Sequence, residues 1–490
     1  MRSSGILMHI SSLPSPYGIG TLGKAAYEFA DFLKAAGQHY WQLLPIGPTS
    51  YGDSPYQSFS TCAGNPYFID LDLLIADGLL EQSEVDAIDW AQHSERVDYG
   101  FQFSVRFDLL YKAFLRGRDR DFDAIRRFRE ENPWVENYAL YMALKRSNGM
   151  RSWEFWPEEL RLRHPGAAET YAIHVADDIN FFIYLQLLFF KQWNALRDYV
   201  HGLGIEIIGD LPIYVPYDSC DVWANPELFQ LEQGTPTGVA GCPPDCFSED
   251  GQLWGNPLYD WDRMQQDGFA WWMERIRAAS RLFDVIRIDH FRGLESYWAV
   301  PYGDTTARNG RWVKGPDHAF INRLHEVFPD LRLIAEDLGF LTEDVIRLQH
   351  DSGYPGMKVL EFAFDPREPS NYLPHRYPTN CICYSGTHDN ETLAQWVDGA
   401  DDVVRAYAAE YLGTTTDALC EGILRAGMAS VADTFIAQMQ DYLGLGASAR
   451  MNTPGTLSTA NWSWRMEKDA ITRELTAKIH RMTQLYEREP

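Results

Sequence analysis

Three carboxylates lie at or just beyond the ends of three separate apolar, strand-like runs. They are Asp289 in DVIRIDHFRG, Glu336 in LRLIAEDLG and Asp389 in CICYSGTHDN. A retaining glycosidic reaction needs one carboxylate to attack the sugar and one carboxylic acid to protonate the leaving oxygen. A third acid can steady the charge that develops on the sugar. The three residues together indicate an enzyme that acts on glycosidic bonds.

Arg287 lies two positions before Asp289, so in a regular strand both side chains point to the same face. The guanidinium would then favour the ionised carboxylate, which is the form that a nucleophile needs. A purely structural ion pair between these two residues explains the same spacing equally well. The motif by itself leaves both interpretations open.

Glu336 follows the apolar run LRLIA. An apolar environment raises the pKa of a carboxyl group and keeps a proton available for a leaving oxygen, as a general acid requires. The next residue, Asp337, points to the opposite face of a regular strand, which favours Glu336 for the active side. A shift of one residue in register would exchange the two.

The motif SGTHDNET combines a tight turn with polar groups. Ser385 and Gly386 allow the turn, while His388 and Asp389 offer a hydrogen-bond donor and a carboxylate to sugar hydroxyls. The alternative is a helix N-terminus, because Thr, Asp and Asn are good N-caps and a Glu suits the first turn. Both roles can hold together.

These acids need a scaffold that brings distant strand ends together. Short apolar runs without polar alternation recur along the chain, as expected for strands covered on both faces. Predicted helices such as 25–37, 184–204 and 270–283 separate many of them, which implies a parallel sheet. The predicted strands are residues 5–10, 40–46, 205–213, 284–289, 331–337, 357–364 and 381–386, with 434–445 as the natural eighth.

Eight such strands fit a (β/α)8 TIM barrel, and a doubly wound open sheet is the structural rival. Asp210, Asp289, Glu336 and Asp389 each fall at or just past the C-terminal end of a different run. A barrel gathers those ends around one mouth, where active sites of this fold lie. The position of the acids therefore favours the barrel.

Two gaps between predicted strands are too long for ordinary crossovers. Residues of about 71–200, between the second and third strands, predict a mainly helical insertion. Residues of about 214–269 are rich in Pro, Gly, Asn and aromatics and predict a loop-rich lid near the active site. We expect one catalytic barrel over residues 1–490 that carries both insertions.

Composition excludes several classes of partner. A net charge of −26 repels a nucleic-acid backbone and an anionic membrane surface, so a neutral substrate is favoured. Seven cysteines form no paired disulfide framework, which favours a reducing compartment. The N-terminal residues lack the pattern of a cleavable signal, and the run FFIYLQLLFF is too short to span a bilayer. We expect a cytoplasmic protein.

Longer motifs along the chain resemble one enzyme family. They are SSLPSPYGIGTLG, QLLPIGPTSYGDSPYQSFSTCAGNPYFID, IIGDLPIYV, WGNPLYDW, RIDHFRG, AEDLG, THDNET, RMNTPGT and NWSWR. Together they resemble the 4-α-glucanotransferases of the amylomaltase or disproportionating-enzyme type, glycoside hydrolase family 77 in the α-amylase clan. The resemblance implies an α-amylase-type barrel with insertions and without a separate all-β C-terminal domain.

The resemblance also implies roles for individual residues. Asp289 would be the nucleophile, Glu336 the acid/base and Asp389 the stabiliser of the transition state. Residues that hold the attacked glucose would be Arg287, His388 and Asp210, and residues that line neighbouring glucose positions would be Tyr56, Trp254 and Asn461. For the last three, ordinary packing or loop capping is the alternative.

The activity implied by the family is transfer of α-1,4-glucan segments to the 4-hydroxyl of glucose or another glucan. Donors would be maltooligosaccharides and glucans derived from starch or glycogen, and the retaining double displacement needs no cofactor. A hydrolase differs only in using water as the acceptor. The resemblance favours transfer over hydrolysis.

Two further classes compete with this interpretation. A glycan-binding barrel without chemistry would not need all three acids, which are intact here. A metal-dependent hydrolase is suggested by His290 and His388, which flank acids. The sequence holds no HExxH motif or clustered His set, so we predict no metal site.

Overall fold

A parallel sheet of eight strands forms the centre of the molecule. The computed structural model describes residues 2–91, 95–244, 248–339 and 341–489. The strands in chain order are β1 Ser3–Leu7, β2 Tyr40–Gln42, β3 Glu206–Pro212, β4 Leu231–Glu232, β5 Thr235–Pro236, β6 Gly238–Cys242, β7 Gln252–Pro257, β8 Val285–Asp289, β9 Ser296–Pro301, β10 Arg311–Lys314, β11 Arg332–Ala335, β12 Gly356–Val359, β13 Cys381–Tyr384 and β14 Thr434–Gln438.

The central sheet has the order β11-β8-β3-β2-β1-β14-β13-β12, and its neighbouring strands are parallel. The sheet curls so that its two end strands meet. At this seam the Ala335 N–H donates to the Pro355 carbonyl over 2.9 Å, and the Met357 N–H donates to Asp337 Oδ1 over 2.6 Å. The sheet is therefore a nearly closed barrel, and Asp337 belongs to its closure.

Helices surround the barrel and fill the long gap between β2 and β3. They are α1 Lys24–Ala35, α2 Leu71–Ala76, α3 Gln82–Asp86, α4 Tyr99–Gly117, α5 Phe122–Glu131, α6 Trp134–Ser147, α7 Glu158–Arg161, α8 Ala167–His174, α9 Ala176–Gly202, α10 Cys220–Ala224, α11 Trp261–Gln266, α12 Ala270–Ser280, α13 Asp317–Val327, α14 Glu343–Ser352, α15 Leu393–Gly399, α16 Asp402–Leu412, α17 Leu419–Ala429, α18 Met439–Tyr442 and α19 Arg473–Leu485.

The helix α9 shows how the inserted helices join the core. Its buried side chains recur at helical spacing, as in Phe182, Leu185, Phe189, Trp193 and Leu196. Each of the five is 3% exposed or less. One continuous apolar face therefore fixes the helical insertion to the barrel. The expected barrel with helical insertions is confirmed.

The predicted strands all exist, but several are shorter than expected. The run predicted as a strand at 357–364 leaves the sheet after Val359 and continues as the 3₁₀ turn Leu360–Phe362. The run predicted at 434–445 is a strand only to Gln438, after which α18 begins. Apolar composition alone does not separate a buried strand from the buried turn that follows it.

A second, antiparallel sheet with the order β10-β9-β6-β7 was not anticipated. The segment predicted as a loop-rich lid, 214–269, supplies β6 and β7, and the chain after β8 supplies β9 and β10. Residues 245–247 of that segment lie outside the described part of the chain. β6 and β7 contain Gly and Pro, which have low strand propensity, so their sequences predict loops.

The helices of the described residues include apolar segments, and α9 is the longest of these helices. No single helix there has the length and apolar character to cross a bilayer. The two helices Ala167–His174 and Ala176–Gly202 have that length and apolar character only when they are taken together, and a bend of 86° separates them.

Candidate active site

Arg287 is the centre of a buried charge cluster at the C-terminal end of the barrel. The register pairs Asp210 of β3 directly with Arg287 of β8, so the two side chains meet inside the barrel. Arg287 Nη1 donates to both oxygens of Asp210 over 2.8 and 2.7 Å. The same nitrogen lies 2.9 Å from Asp289 Oδ1. Arg287 therefore holds Asp289 at a fixed distance from a second, fully buried acid.

Tyr56 and His388 cover the other side of Asp210. The Tyr56 hydroxyl donates to Asp210 Oδ2 over 2.7 Å and lies 3.3 Å from His388 Nδ1. The two rings stack with centroids 4.9 Å apart and an interplanar angle of 18°. Burial, followed by the charge of Asp210, raises the pKa of Tyr56 well above its usual value. The phenol stays protonated and remains a hydrogen-bond donor.

Glu336 is positioned by backbone groups. It follows β11, and its Oε2 accepts the His290 N–H over 2.7 Å while its Oε1 accepts the Leu338 N–H over 2.9 Å. His290 follows Asp289 directly and has a φ of 54°, a left-handed conformation that a non-glycine residue seldom adopts. This turn aims the His290 N–H at Glu336. It thereby couples the positions of the two acids that end β8 and β11.

Both acids have raised pKa values, and burial is the largest cause for each. Burial raises the pKa of Glu336 to about 7, against the opposing charge of Arg287. Burial raises the pKa of Asp289 to about 6, and there Arg287 is again the main opposing influence. Glu336 thus keeps a proton to higher pH than Asp289 does. The hydrogen bonds from the His290 and Leu338 N–H groups act in the opposite direction, because they favour the ionised carboxylate of Glu336.

Asp389 differs from the other two acids because its side chain is 46% exposed. Its Oδ1 accepts a hydrogen bond from Asn452 Nδ2 over 2.6 Å and lies 3.3 Å from His388 Nε2. Arg450 Nη2 donates to the Asp389 carbonyl over 2.8 Å. Sequence reasoning did not single out Asn452 and Arg450. The available signal was the RMNTPGT motif, which contains both of them.

The remaining predicted residues lie around this cluster. The Trp254 ring on β7 meets the His290 ring edge-on, with centroids 4.7 Å apart. Asn461 accepts the Thr453 N–H over 3.2 Å and donates to the Thr456 carbonyl over 3.0 Å, so it braces its own loop. Its neighbour Trp462 places its ring 5.8 Å from both Tyr56 and His388. Asn461 is thus connected to the cluster through its neighbour Trp462 and through Thr453, which directly follows the Asn452 that holds Asp389.

The arrangement offers two partly buried carboxyl groups with different proton affinities, a third, more exposed carboxylate and a ring of donors. Such a set can attack a sugar carbon, protonate a leaving oxygen and bind hydroxyl groups. In the part of the chain that the structure describes, no group of three or more His, Cys, Asp or Glu side chains could hold a metal ion.

Comparisons with known proteins agree with this geometry. The family model described as 4-α-glucanotransferase, glycoside hydrolase family 77, matches residues 8–472. A 4-α-glucanotransferase of Clostridium butyricum is 47% identical over 98% of this chain and all of its own length. A 4-α-glucanotransferase of Thermus thermophilus is 45% identical, with 99% of both chains covered.

The solved structure of an amylomaltase from Streptococcus agalactiae, in complex with acarbose, superposes with a TM-score of 0.97. It is 41% identical, and the match covers all of both chains. A barrel, a cluster of acids at its mouth and near-complete coverage by these relatives point to one conclusion. The chain belongs to glycoside hydrolase family 77, the 4-α-glucanotransferases.

Proposed function

We propose that this chain moves segments of α-1,4-linked glucan to the 4-hydroxyl of glucose or of another glucan by a retaining double displacement. The observation that carries the mechanism is the unequal environment of two partly buried acids, Asp289 and Glu336. Asp289 lies 2.9 Å from a guanidinium nitrogen, which favours its ionised form. Burial raises the pKa of Glu336 to about 7, above the value of about 6 for Asp289. Nucleophile and acid are thereby distinguished.

In the first step an Asp289 oxygen attacks the anomeric carbon of the donor glucan. The bond from that carbon to the leaving oxygen breaks, and Glu336 gives its proton to that oxygen. The shortened glucan leaves with a free 4-hydroxyl, and the transferred segment is bound to Asp289 as a glycosyl ester. Asp389, with His388 beside it, would stabilise the positive charge that develops on the sugar ring.

In the second step Glu336, now ionised, takes the proton of the acceptor's 4-hydroxyl. The acceptor oxygen attacks the anomeric carbon, the ester to Asp289 breaks, and both acids return to their starting states. Two inversions restore the α configuration. Arg287, Asp210, Tyr56 and His388 form a connected network that would hold the attacked glucose in place throughout.

Hydrolysis is the alternative outcome of the same intermediate, with water as the acceptor. Transfer needs a covered cleft in which a sugar competes successfully with water. We assign that cover to Trp254 and the lid segment of about 214–269, and to the loop of Tyr56. Asn461 would line a neighbouring glucose position by fixing the loop that ends at Trp462.

Incubation with maltotriose, followed by chain-length analysis, tests the proposed reaction. Transfer predicts release of glucose together with chains longer than maltotriose. Steady production of reducing ends without longer chains would make the enzyme a hydrolase. Absence of any change in chain length would contradict the proposal as a whole.

Further features of the chain fit this proposal. Its charge of −26 disfavours nucleic acids and anionic membranes as partners and suits neutral glucans. The seven cysteines of the sequence form no paired disulfide framework, which favours a reducing compartment, and we propose a cytoplasmic enzyme. We also propose one catalytic barrel over 1–490 with insertions at about 71–200 and 214–269.

A further inference from the structure

The antiparallel sheet carries an aromatic surface that the reaction described above does not use. Trp312 of β10 is 41% exposed, although tryptophan is usually mostly buried. Arg292 lies over one face of its ring, with the guanidinium carbon 4.0 Å from the ring centroid. Trp298 of β9 stands edge-on to the same ring, with centroids 5.2 Å apart. The ring is held on these sides and remains partly open to solvent.

The neighbours of Trp312 are themselves fixed. Trp298 is its register partner in the β9–β10 pair, and the Trp298 indole N–H donates to the Ala307 carbonyl over 2.9 Å. Gly310 leaves room for the Trp298 ring, because a Cβ there would lie 2.1 Å from its indole nitrogen. The aromatic pair is therefore a rigid platform, and a rigid ring loses little entropy when a ligand binds to it.

This platform is connected to the active-site acids by a short stretch of chain. Asp289 ends β8, His290 makes the left-handed turn, and the 3₁₀ turn Phe291–Leu294 carries Arg292 to the underside of Trp312. Arg292 is 6% exposed. The first residue of that turn, Phe291, donates its N–H to the Glu336 carbonyl over 3.1 Å. The platform therefore lies on the Glu336 side of the cleft.

A second connection fixes β10 to the same turn. Lys314, at the end of β10, forms ion pairs with Glu295 over 2.6 Å and with Asp317 over 2.7 Å. The Gly315 N–H donates to the Glu295 carbonyl over 2.7 Å. The position of Trp312 is thus set relative to the residues that follow Asp289.

We propose that Trp312, supported by Arg292 and Trp298, binds the acceptor glucan beyond its first glucose. The flat apolar face of a pyranose ring fits an exposed indole, and a neutral ligand incurs no repulsion from the acidic chain. Glu336 activates the acceptor hydroxyl in the proposed reaction, so a platform on its side receives the acceptor rather than the donor. This inference rests on the proposed function, because that function identifies the Glu336 side of the cleft as the acceptor side.

Acceptor kinetics test the proposal through their dependence on chain length. In Trp312→Ala the KM for maltohexaose as acceptor should rise about three- to tenfold, the range expected for one lost aromatic contact. The KM for glucose and the kcat should stay unchanged, because one glucose does not reach the platform. Trp312→Phe, which keeps a ring, should recover part of the loss.

The control is Tyr302→Ala, which removes an aromatic side chain of similar exposure, 46%, just beyond β9. The KM for maltohexaose, the KM for glucose and the kcat of this variant should equal those of the unmodified enzyme. Equal KM values for maltohexaose in Trp312→Ala and the unmodified enzyme would overturn the proposal. An equal rise for glucose would also overturn it, because that result indicates general damage. A changed sedimentation coefficient, with unchanged acceptor kinetics, would assign the surface to contact between copies of the chain instead.

A binding measurement separates this proposal from the proposed reaction. Calorimetric titration of the Asp289→Asn variant with maltohexaose and with maltose, with and without Trp312→Ala, needs no turnover. Weaker binding of maltohexaose alone supports a glucan platform even if the unmodified enzyme fails to transfer maltotriose. Unchanged binding refutes the platform even if transfer is normal.

Discussion

The two sides of the cleft hold their acids in different ways. Asp289 and Glu336 follow neighbouring barrel strands, and their partners are a buried guanidinium and backbone N–H groups. Asp389 follows a strand as well, but its side chain is half exposed and a loop residue, Asn452, holds it. Burial therefore controls proton affinity on the first side. On the second side, a loop contact sets the position of the acid.

The largest expected effect comes from removing the strand-held nucleophile. Asp289→Asn should lower kcat about 10⁴-fold or more, because an amide cannot form the glycosyl ester. Its thermal unfolding should change little, since the amide still accepts a hydrogen bond from Arg287. Initial rates on maltotriose and calorimetric melting measure both quantities.

The matched control is Asp344→Asn, an exposed acid on α14 that pairs with Arg347. It should keep full activity. Near-full activity in Asp289→Asn would contradict the assignment of the nucleophile. The strand-held side of the cleft would then not be the side that performs the attack.

A second strong effect concerns proton affinity at Glu336. Turnover needs Asp289 ionised and Glu336 protonated, so kcat/KM should fall as the pH drops through about 6 and as it rises through about 7. Glu336→Gln should lower kcat about 10²- to 10⁴-fold and remove the alkaline limb. A pH profile of initial rates checks this. An alkaline limb that persists in the variant would assign the proton to another group.

A third effect tests the charge cluster beneath the acids. Arg287→Lys keeps the charge but loses the geometry that serves Asp210 and Asp289 at once, so kcat/KM should fall about 100-fold. The variant should also unfold at a lower temperature, because Asp210 is buried and loses part of its pairing. A normal melting temperature with normal kinetics would show that the cluster is dispensable.

The smallest effect is expected on the loop-held side. Asn452→Ala removes the hydrogen bond to Asp389 and should lower kcat about tenfold without moving either limb of the pH profile. Asn309→Ala, which removes an exposed Asn–Asp hydrogen bond in the chain after β9, is the control and should be neutral. A shifted pH profile in Asn452→Ala would mean that this side also controls proton affinity.

The contrast between strand-held and loop-held acids also explains which parts of the site could be predicted from the sequence. The spacing of Arg287 and Asp289 predicted their contact because strand geometry is local and regular. The apolar run before Glu336 predicted its raised pKa, because the residues next to it in the sequence already indicate apolar surroundings. The register of β3 against β8, which places Asp210 on Arg287, is a property of the whole sheet and left no local pattern.

Long-range loop contacts were less accessible to sequence reasoning. Asn452 reaches Asp389 across 63 positions of the chain, and neither residue carries a signal of the other. The antiparallel sheet was missed because its strands are short and because β6 and β7 contain Gly or Pro, so tertiary pairing overrides propensity in those two strands. The family motifs indicated which residues matter, and only the fold connects them.

The central claim is that Asp289 carries the transferred sugar. α-Maltosyl fluoride needs no protonation to lose fluoride, so Glu336→Gln should accept it and then stop, because no base activates the acceptor. Mass spectrometry of the intact variant should show the added mass of one maltosyl group, and peptide mapping should place it on Asp289. A label on Asp389, or release of fluoride at the rate of the unmodified enzyme without any labelled protein, would contradict the account.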